Sequence, residues 1–226
     1  MIRAVHVDNL TKNIKEMCIE VNHVLSADMK EALDTSVQTE KSPLGRQILC
    51  QLQENLEIAG KDRIPICQDT GMAIVFLEVG QDVHFEGGSV EDAINEGVRQ
   101  GYVEGYLRKS VVKDPLIREN TKDNTPAVIH TSIVPGDQVK ITVTPKGFGS
   151  ENKSGLKMLN PSDGINGVID FVIETVKKAG ANPCPPMVIG VGIGGTMDKA
   201  AQIAKKALTR DIDVPNSNPF YAELEK

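Results

Sequence analysis

The stretch Met72-Ala73-Ile74-Val75-Phe76-Leu77-Glu78-Val79-Gly80 decides the fold class. It is an apolar run broken once, by Glu78, rich in β-branched residues and bounded by Gly71 and Gly80. The run is short for a helix, and its lack of polar alternation predicts a strand covered on both faces. Helical patterns lie on either side to supply that cover. Upstream, Val7, Leu10, Ile14, Met17, Cys18, Val21 and Leu25 recur at three- and four-residue intervals, the apolar stripe of an amphipathic helix. A second helix is predicted from Ser26 and a third from Ser42-Pro43, the latter with Leu44, Ile48, Leu52 and Leu56 on one face and Gly60 at its end.

Downstream, Ser89 opens a long helical segment, SVEDAINEGVRQGYVEGYLRKSVV, with Glu91 and Asp92 in the first turn, where the helix dipole favours acids. Gly97, Gly101 and Gly105 fall on one face of it and predict close approach of a neighbouring element. PAVIHTSIV (126–134) and QVKITVTP (138–145) predict a hairpin across Pro135-Gly136-Asp137. After a glycine-rich loop, KGFGSENKS, come a helix through GVIDFVIETVKKAG, the loop ANPCPP, a strand MVIGVGIGG and a helix TMDKAAQIAKKALTR. The expectation is an α+β protein: an all-helical lead, residues 1–62, packed on the same domain as a mixed sheet-and-helix part, residues 63–226.

Composition narrows the function. With 40% hydrophobic residues in 226, the chain can bury a sizeable core and belongs with soluble globular proteins. A net charge of -6 with dispersed Lys and Arg gives no basic stripe, which excludes nucleic acid as an expected partner. An anionic substrate would therefore need locally placed cations. The absence of an apolar leader and of any long apolar run predicts a cytoplasmic protein without a membrane span. Four cysteines at unrelated spacings (18, 50, 67 and 184) are no disulfide framework and fit a reducing compartment.

Two loops concentrate reactive groups. PICQDTG (65–71) places Cys67, Gln68 and Asp69 between restrictive Pro65 and permissive Gly71. The residues alone leave a functional Cys67 and a structural loop cysteine equally open. In ANPCPP (181–186), three prolines surround Cys184 and exclude a helix or sheet interior, a setting that recurs at iron-sulfur ligands. KGFGSENKS (146–154) offers backbone N–H groups for an anion. No two histidines have zinc spacing; Cys18 lies on an apolar stripe and Cys50 has no motif around it, so neither is expected to bind metal.

The segments PICQDTG, GYLRKS with Arg108, NTPAVIHTSIVPGD, KGFGSENKS, NPCPP and GVGIGGT occur in a family-specific order. From residue 63 to its end the chain resembles the α subunit of two-subunit class I fumarases and L(+)-tartrate dehydratases. The resemblance implies a 4Fe-4S cluster held by three cysteines, two of them Cys67 and Cys184, with one iron open to substrate as a Lewis acid. It implies Asp69 as base, Gln68 and Arg108 on substrate carboxylates, and the Gly147 to Gly149 backbone facing the substrate. It also implies a small dicarboxylate substrate, fumarate or alternatively L-tartrate, and a β subunit that completes the site in a dimer of αβ units.

In that family the third cysteine ligand lies beyond the stretch matching 184–226, and no cysteine follows Cys184 here. Asn218-Pro219 starts a helix with only seven residues after it. Both observations give the expectation of a longer α subunit truncated at its C-terminus, whose cluster this chain alone does not complete. Two other readings compete. GVGIGGT satisfies GxGxxG at Gly190, Gly192 and Gly195, as in a nucleotide-binding loop, but no acid closes a second strand about 20 residues on. A cluster-bearing scaffold without turnover would hold iron and sulfide yet hydrate nothing.

Overall fold

The computed structural model describes residues 2–226. In chain order its elements are β1 (Arg3–His6), α1 (Val7–His23), α2 (Ala27–Thr39), α3 (Pro43–Asp62), β2 (Met72–Gly80), β3 (Val83–Glu86), α4 (Val90–Glu104), β4 (Val128–Val134), β5 (Val139–Lys146), α5 (Phe148–Glu151), a 3-10 turn (Pro161–Asp163), α6 (Gly164–Ala179), α7 (Met197–Ala207) and α8 (Pro219–Leu224). The α+β class holds, with β1 ahead of the three leading helices. The chain forms two compact units: Met1–Pro145 with Arg210–Lys226, and Lys146–Thr209.

The first unit is organised on β2. Ala73, Val75, Leu77 and Val79 share a core with Val7, Leu10, Ile14 and Cys18 of α1 and Ile94, Val98 and Tyr102 of α4. Ile74 and Phe76, alternate residues and so on the opposite face, are also buried. Each such Val, Ile, Leu or Phe contributes about 1.5–3 kcal/mol relative to exposure, so β2 anchors the unit. Helix α4 lies close to α1 because its contact face is glycine. A Cβ at Gly97 would sit 2.9 Å from Ile14 Cβ, and one at Gly101 2.8 Å from Cys18 Cβ.

The predicted hairpin is not formed. The three-stranded sheet has the order β4-β2-β5, and β4 runs parallel to β2, with Ile74 opposite Val128 and Gly80 opposite Val134. A parallel neighbour needs a crossover, which α4 provides. The Pro135-Gly136-Asp137 turn instead steps around the end of β2. Gly80 N–H donates to Gln138 O at 2.8 Å, and a Cβ at Gly80 would lie 2.5 Å from Gly136 O. A second sheet pairs β1 with β3 in parallel.

Helix starts follow the sequence more closely than helix ends. Ser42 and Ser89 hydroxyls accept the Gly45 and Asp92 N–H groups at 3.2 Å each, and Ser26 precedes α2 without a side-chain capping bond. Helix α3 passes through Gly60 and ends at left-handed Arg63 (φ 53), where Ile64 N–H reaches Ala59 O. Its buried residues are Leu49 and Ala59, while Leu44 and Ile48 of the predicted stripe are exposed. Helix α4 ends at Glu104, well before the predicted Val112. Tyr106 turns left-handed (φ 54), and Leu107 N–H bonds to Tyr102 O, closing the helix as a Schellman motif.

The second unit holds α5, the 3-10 turn, α6 and α7. Ala179 is its one buried hydrophobic residue among those described. KGFGSENKS, expected as a plain loop, contains the single helical turn α5. The predicted strand MVIGVGIGG has no ladder partner and is not a strand. A Cβ at Gly190 or Gly192 would collide with the backbone oxygens of Ala204 and Ala200 in α7, while Ile189, Val191 and Ile193 stay exposed.

Candidate active site

In the first unit, the segment between α3 and β2 carries Cys67, Gln68 and Asp69. It is tethered before the cysteine by its backbone: Ile66 N–H donates to Asn22 O at 2.8 Å, and Asn55 Nδ2 donates to Ile66 O at 3.0 Å. Cys67 and Gln68 are exposed and Asp69 is half-buried. The Cys67 sulfur accepts the Asp69 N–H at 3.4 Å, its thiol lies 3.4 Å from Gln68 Oε1, and Asp69 Oδ1 accepts the Gly71 N–H at 3.1 Å. Three reactive side chains are thus shaped by local bonds into one turn before β2 is buried.

Arg108 comes to the same region from the end of α4. Because the helix stops at Glu104, Arg108 stands on a loop rather than on the helix that the sequence predicted. Its backbone is held by Thr70, whose hydroxyl accepts Arg108 N–H at 2.9 Å and donates to Arg108 O at 3.2 Å. Asn124, fully buried, donates to Gly71 O at 3.0 Å and accepts Ser110 and Val111 N–H at 2.7 and 3.1 Å. Tyr102 donates to Thr70 O at 2.8 Å, and burial pushes its phenol pKa up. The Arg108 side chain is exposed and makes no hydrogen bond or ion pair with the described residues. No sequence pattern singles out Thr70, Tyr102 or Asn124, although Thr70 lies inside PICQDTG and Asn124 opens NTPAVIHTSIVPGD.

The second unit brings together its own two segments. Gly149 approaches the Cys184 loop so closely that a Cβ there would lie 3.1 Å from Asn182 O. Cys184 is exposed and left-handed (φ 59), with its N–H on Ala181 O at 3.1 Å. That conformation is uncommon for a residue with a side chain and marks a constrained loop. Gly147 caps α5, and Lys205 of α7 pairs with Glu151, as does Lys146 at 3.6 Å.

The thiols sort by environment. Cys18 is buried in the core, and desolvation pushes its pKa up to about 12, which makes it a poor ligand. Cys50, Cys67 and Cys184 are exposed; Cys50 lies on α3, and only Cys67 and Cys184 lie on loops. The donors suit an iron-sulfur cluster in kind, since cysteine thiolates are its usual ligands. It is short in number: among the described residues no group of three or more His, Cys, Asp or Glu side chains is placed to hold a metal ion.

The sequence profile of the fumarate hydratase (Fumerase) family matches residues 11–226. The chain belongs to the fumarate hydratase family. It is 42% identical over 219 residues to a protein of Methanocaldococcus jannaschii provisionally named L(+)-tartrate dehydratase subunit alpha, covering 94% of this chain and 76% of that one. It is 30% identical over 222 residues to the L(+)-tartrate dehydratase subunit alpha of Escherichia coli strain UTI89, covering 97% of this chain and 73% of that protein. The activities named for the fumarate hydratase family and for these relatives are hydro-lyase activities. In this member of the family Gly190 and Gly192 of GVGIGGT, with no strand before them, pack against α7, so the strand-turn-helix context of a dinucleotide loop is absent. None of its described helices is long and apolar enough to cross a membrane.

Proposed function

We propose that the chain is the α subunit of an iron-sulfur hydro-lyase that reversibly adds water to fumarate, giving L-malate. The observation that carries the reading is in the first unit: exposed Cys67, the Asp69 carboxylate and the partner-free Arg108 guanidinium stand on two loops fixed to one another. Arg108 takes one substrate carboxylate through its planar two-pronged donor face, and the Gln68 amide donates to a carboxylate oxygen. Asp69 accepts the proton from the carbon that bears a carboxylate, while Arg108 offsets the negative charge that grows on that group. In the hydration direction Asp69 returns the proton to the same carbon. The family resemblance assigns the Gly147 and Gly149 backbone to the substrate as well. Cys67 and Cys184 serve as two ligands of a 4Fe-4S cluster, which when bound supplies Lewis acidity toward the hydroxyl. A β subunit, supported by the naming of the relatives as alpha subunits, completes the site.

A second reading, dehydration of L(+)-tartrate, is favoured by the names of the same relatives. Both substrates are four-carbon dicarboxylates, and the residue roles are unchanged. The test is kinetic, on the chain assembled with its β subunit and loaded anaerobically with iron. Asp69→Asn should lower kcat by about 10²–10⁴-fold at similar KM, because the amide keeps the shape and cannot take the proton. Arg108→Lys should raise KM. A near-normal kcat for Asp69→Asn removes that residue as the base.

A further inference from the structure

We infer that Thr70 and Asn124 are positioning residues for Arg108, together setting how tightly the enzyme holds the substrate's carboxylate; the inference rests on the substrate role proposed for Arg108. The observations are the bonds between the two loops. Among the described residues no backbone-to-backbone hydrogen bond joins residues 67–71 to residues 108–111. The connection is made by side chains. The Thr70 hydroxyl takes both polar groups of the Arg108 peptide backbone, at 2.9 and 3.2 Å, and so fixes the base of the arginine rather than its tip. Asn124 spans the next step, its amide N–H on Gly71 O and its amide oxygen on the Ser110 and Val111 N–H groups.

Both side chains are isolated from water. Thr70 is 4% exposed and Asn124 0%. Asn124 is held in the left-handed region (φ 63), which asparagine tolerates better than most residues. Tyr102, itself buried in the core, adds its hydroxyl to Thr70 O, so the clasp is referenced to α4 and through it to β2. The bonds of Thr70 and Asn124 in this buried network fix geometry, because moving either side chain leaves a donor or acceptor without a partner. The arginine that leaves it is free at its tip and fixed at its root. Its entropy loss on meeting a carboxylate is reduced accordingly.

Asn124 variants would leave three backbone groups unpaired and threaten the fold, so the decisive variants are at Thr70. Thr70→Val keeps the shape and removes the hydroxyl; Thr70→Ser keeps the hydroxyl. The measurement is KM and kcat for fumarate and for L(+)-tartrate, with iron content and urea midpoint recorded for each assembled enzyme. Thr70→Val should raise KM about tenfold with iron content unchanged, and Thr70→Ser should restore most of it. The double variant Thr70→Val/Arg108→Met should have the KM of Arg108→Met alone, because a residue acting through the guanidinium adds nothing once that group is gone. A purely structural Thr70 would lower the urea midpoint without moving KM, and independent roles would make the two KM penalties multiply. Either result overturns the inference while leaving the enzyme reading intact. An iron-loaded parent enzyme that turns over neither diacid overturns both.

Discussion

Cys67 and Cys18 show how position decides what the same side chain can do. Cys67 is exposed on a bonded turn, whereas Cys18 is sealed in the α1 core with its thiol pKa raised to about 12. After anaerobic reconstitution with the β subunit, Cys67→Ser and Cys184→Ser should each lose most iron and acid-labile sulfide, since a hydroxyl is a poor replacement for thiolate on iron. Cys18→Ala should keep both. Iron loss in the Cys18 variant alone would reverse the ligand assignment. The exposed reactive residues were legible because motifs concentrate them: Cys67, Gln68 and Asp69 in PICQDTG, and Cys184 among prolines. Thr70, Tyr102 and Asn124 were not, because their value lies in partners 13 to 53 residues away, which no local pattern records.

At the level of elements, glycine spacing was read correctly where a neighbour enforces it. Gly101 meets Cys18 Cβ and Lys15 O at hypothetical Cβ distances of 2.8 and 3.0 Å, while Gly60, inside α3, meets only His23 O at 4.0 Å. Alanine improves helix propensity by about 1 kcal/mol at either site, but overpacking costs about 1–3 kcal/mol at the first. Gly101→Ala should therefore lower the urea midpoint and Gly60→Ala raise it; equal shifts would mean that α1 and α4 are not in close contact. Strand β2 was legible to the residue because its apolar run ends at glycines. The ends of α3 and α4 were not, since Arg63 and Tyr106 adopt the left-handed conformation that sequence rules expect of glycine or asparagine. The hairpin failed for a different reason. A turn signature reports that the chain reverses, and here β2 lies between the strands on either side of that reversal. For MVIGVGIGG, amides 188–193 lack ladder partners and should exchange with solvent far faster than those of β2. Slow exchange there would show that the segment is paired.

Across the whole molecule, chemistry is placed where the core stops. The first unit spends its apolar residues on β2, α1 and α4 and leaves Cys67, Asp69 and Arg108 on loops just beyond that core. The second brings Gly149 against Asn182 in the loop that carries Cys184, with Ala179 as its one buried hydrophobic residue among those described. Arg108 and the lysines around Glu151 are local cations in an otherwise acidic chain. L-malate, the hydrated form of fumarate, and L(+)-tartrate differ by a single hydroxyl, too small a difference to read from motifs that recognise carboxylates. The most direct measurement is therefore turnover itself, following fumarate and L(+)-tartrate with the chain assembled with its β subunit, before and after iron removal. Iron-dependent interconversion of one of these diacids with its hydrated or dehydrated counterpart is expected, largely abolished by Asp69→Asn; an iron-replete complex inert toward both would contradict the hydro-lyase assignment.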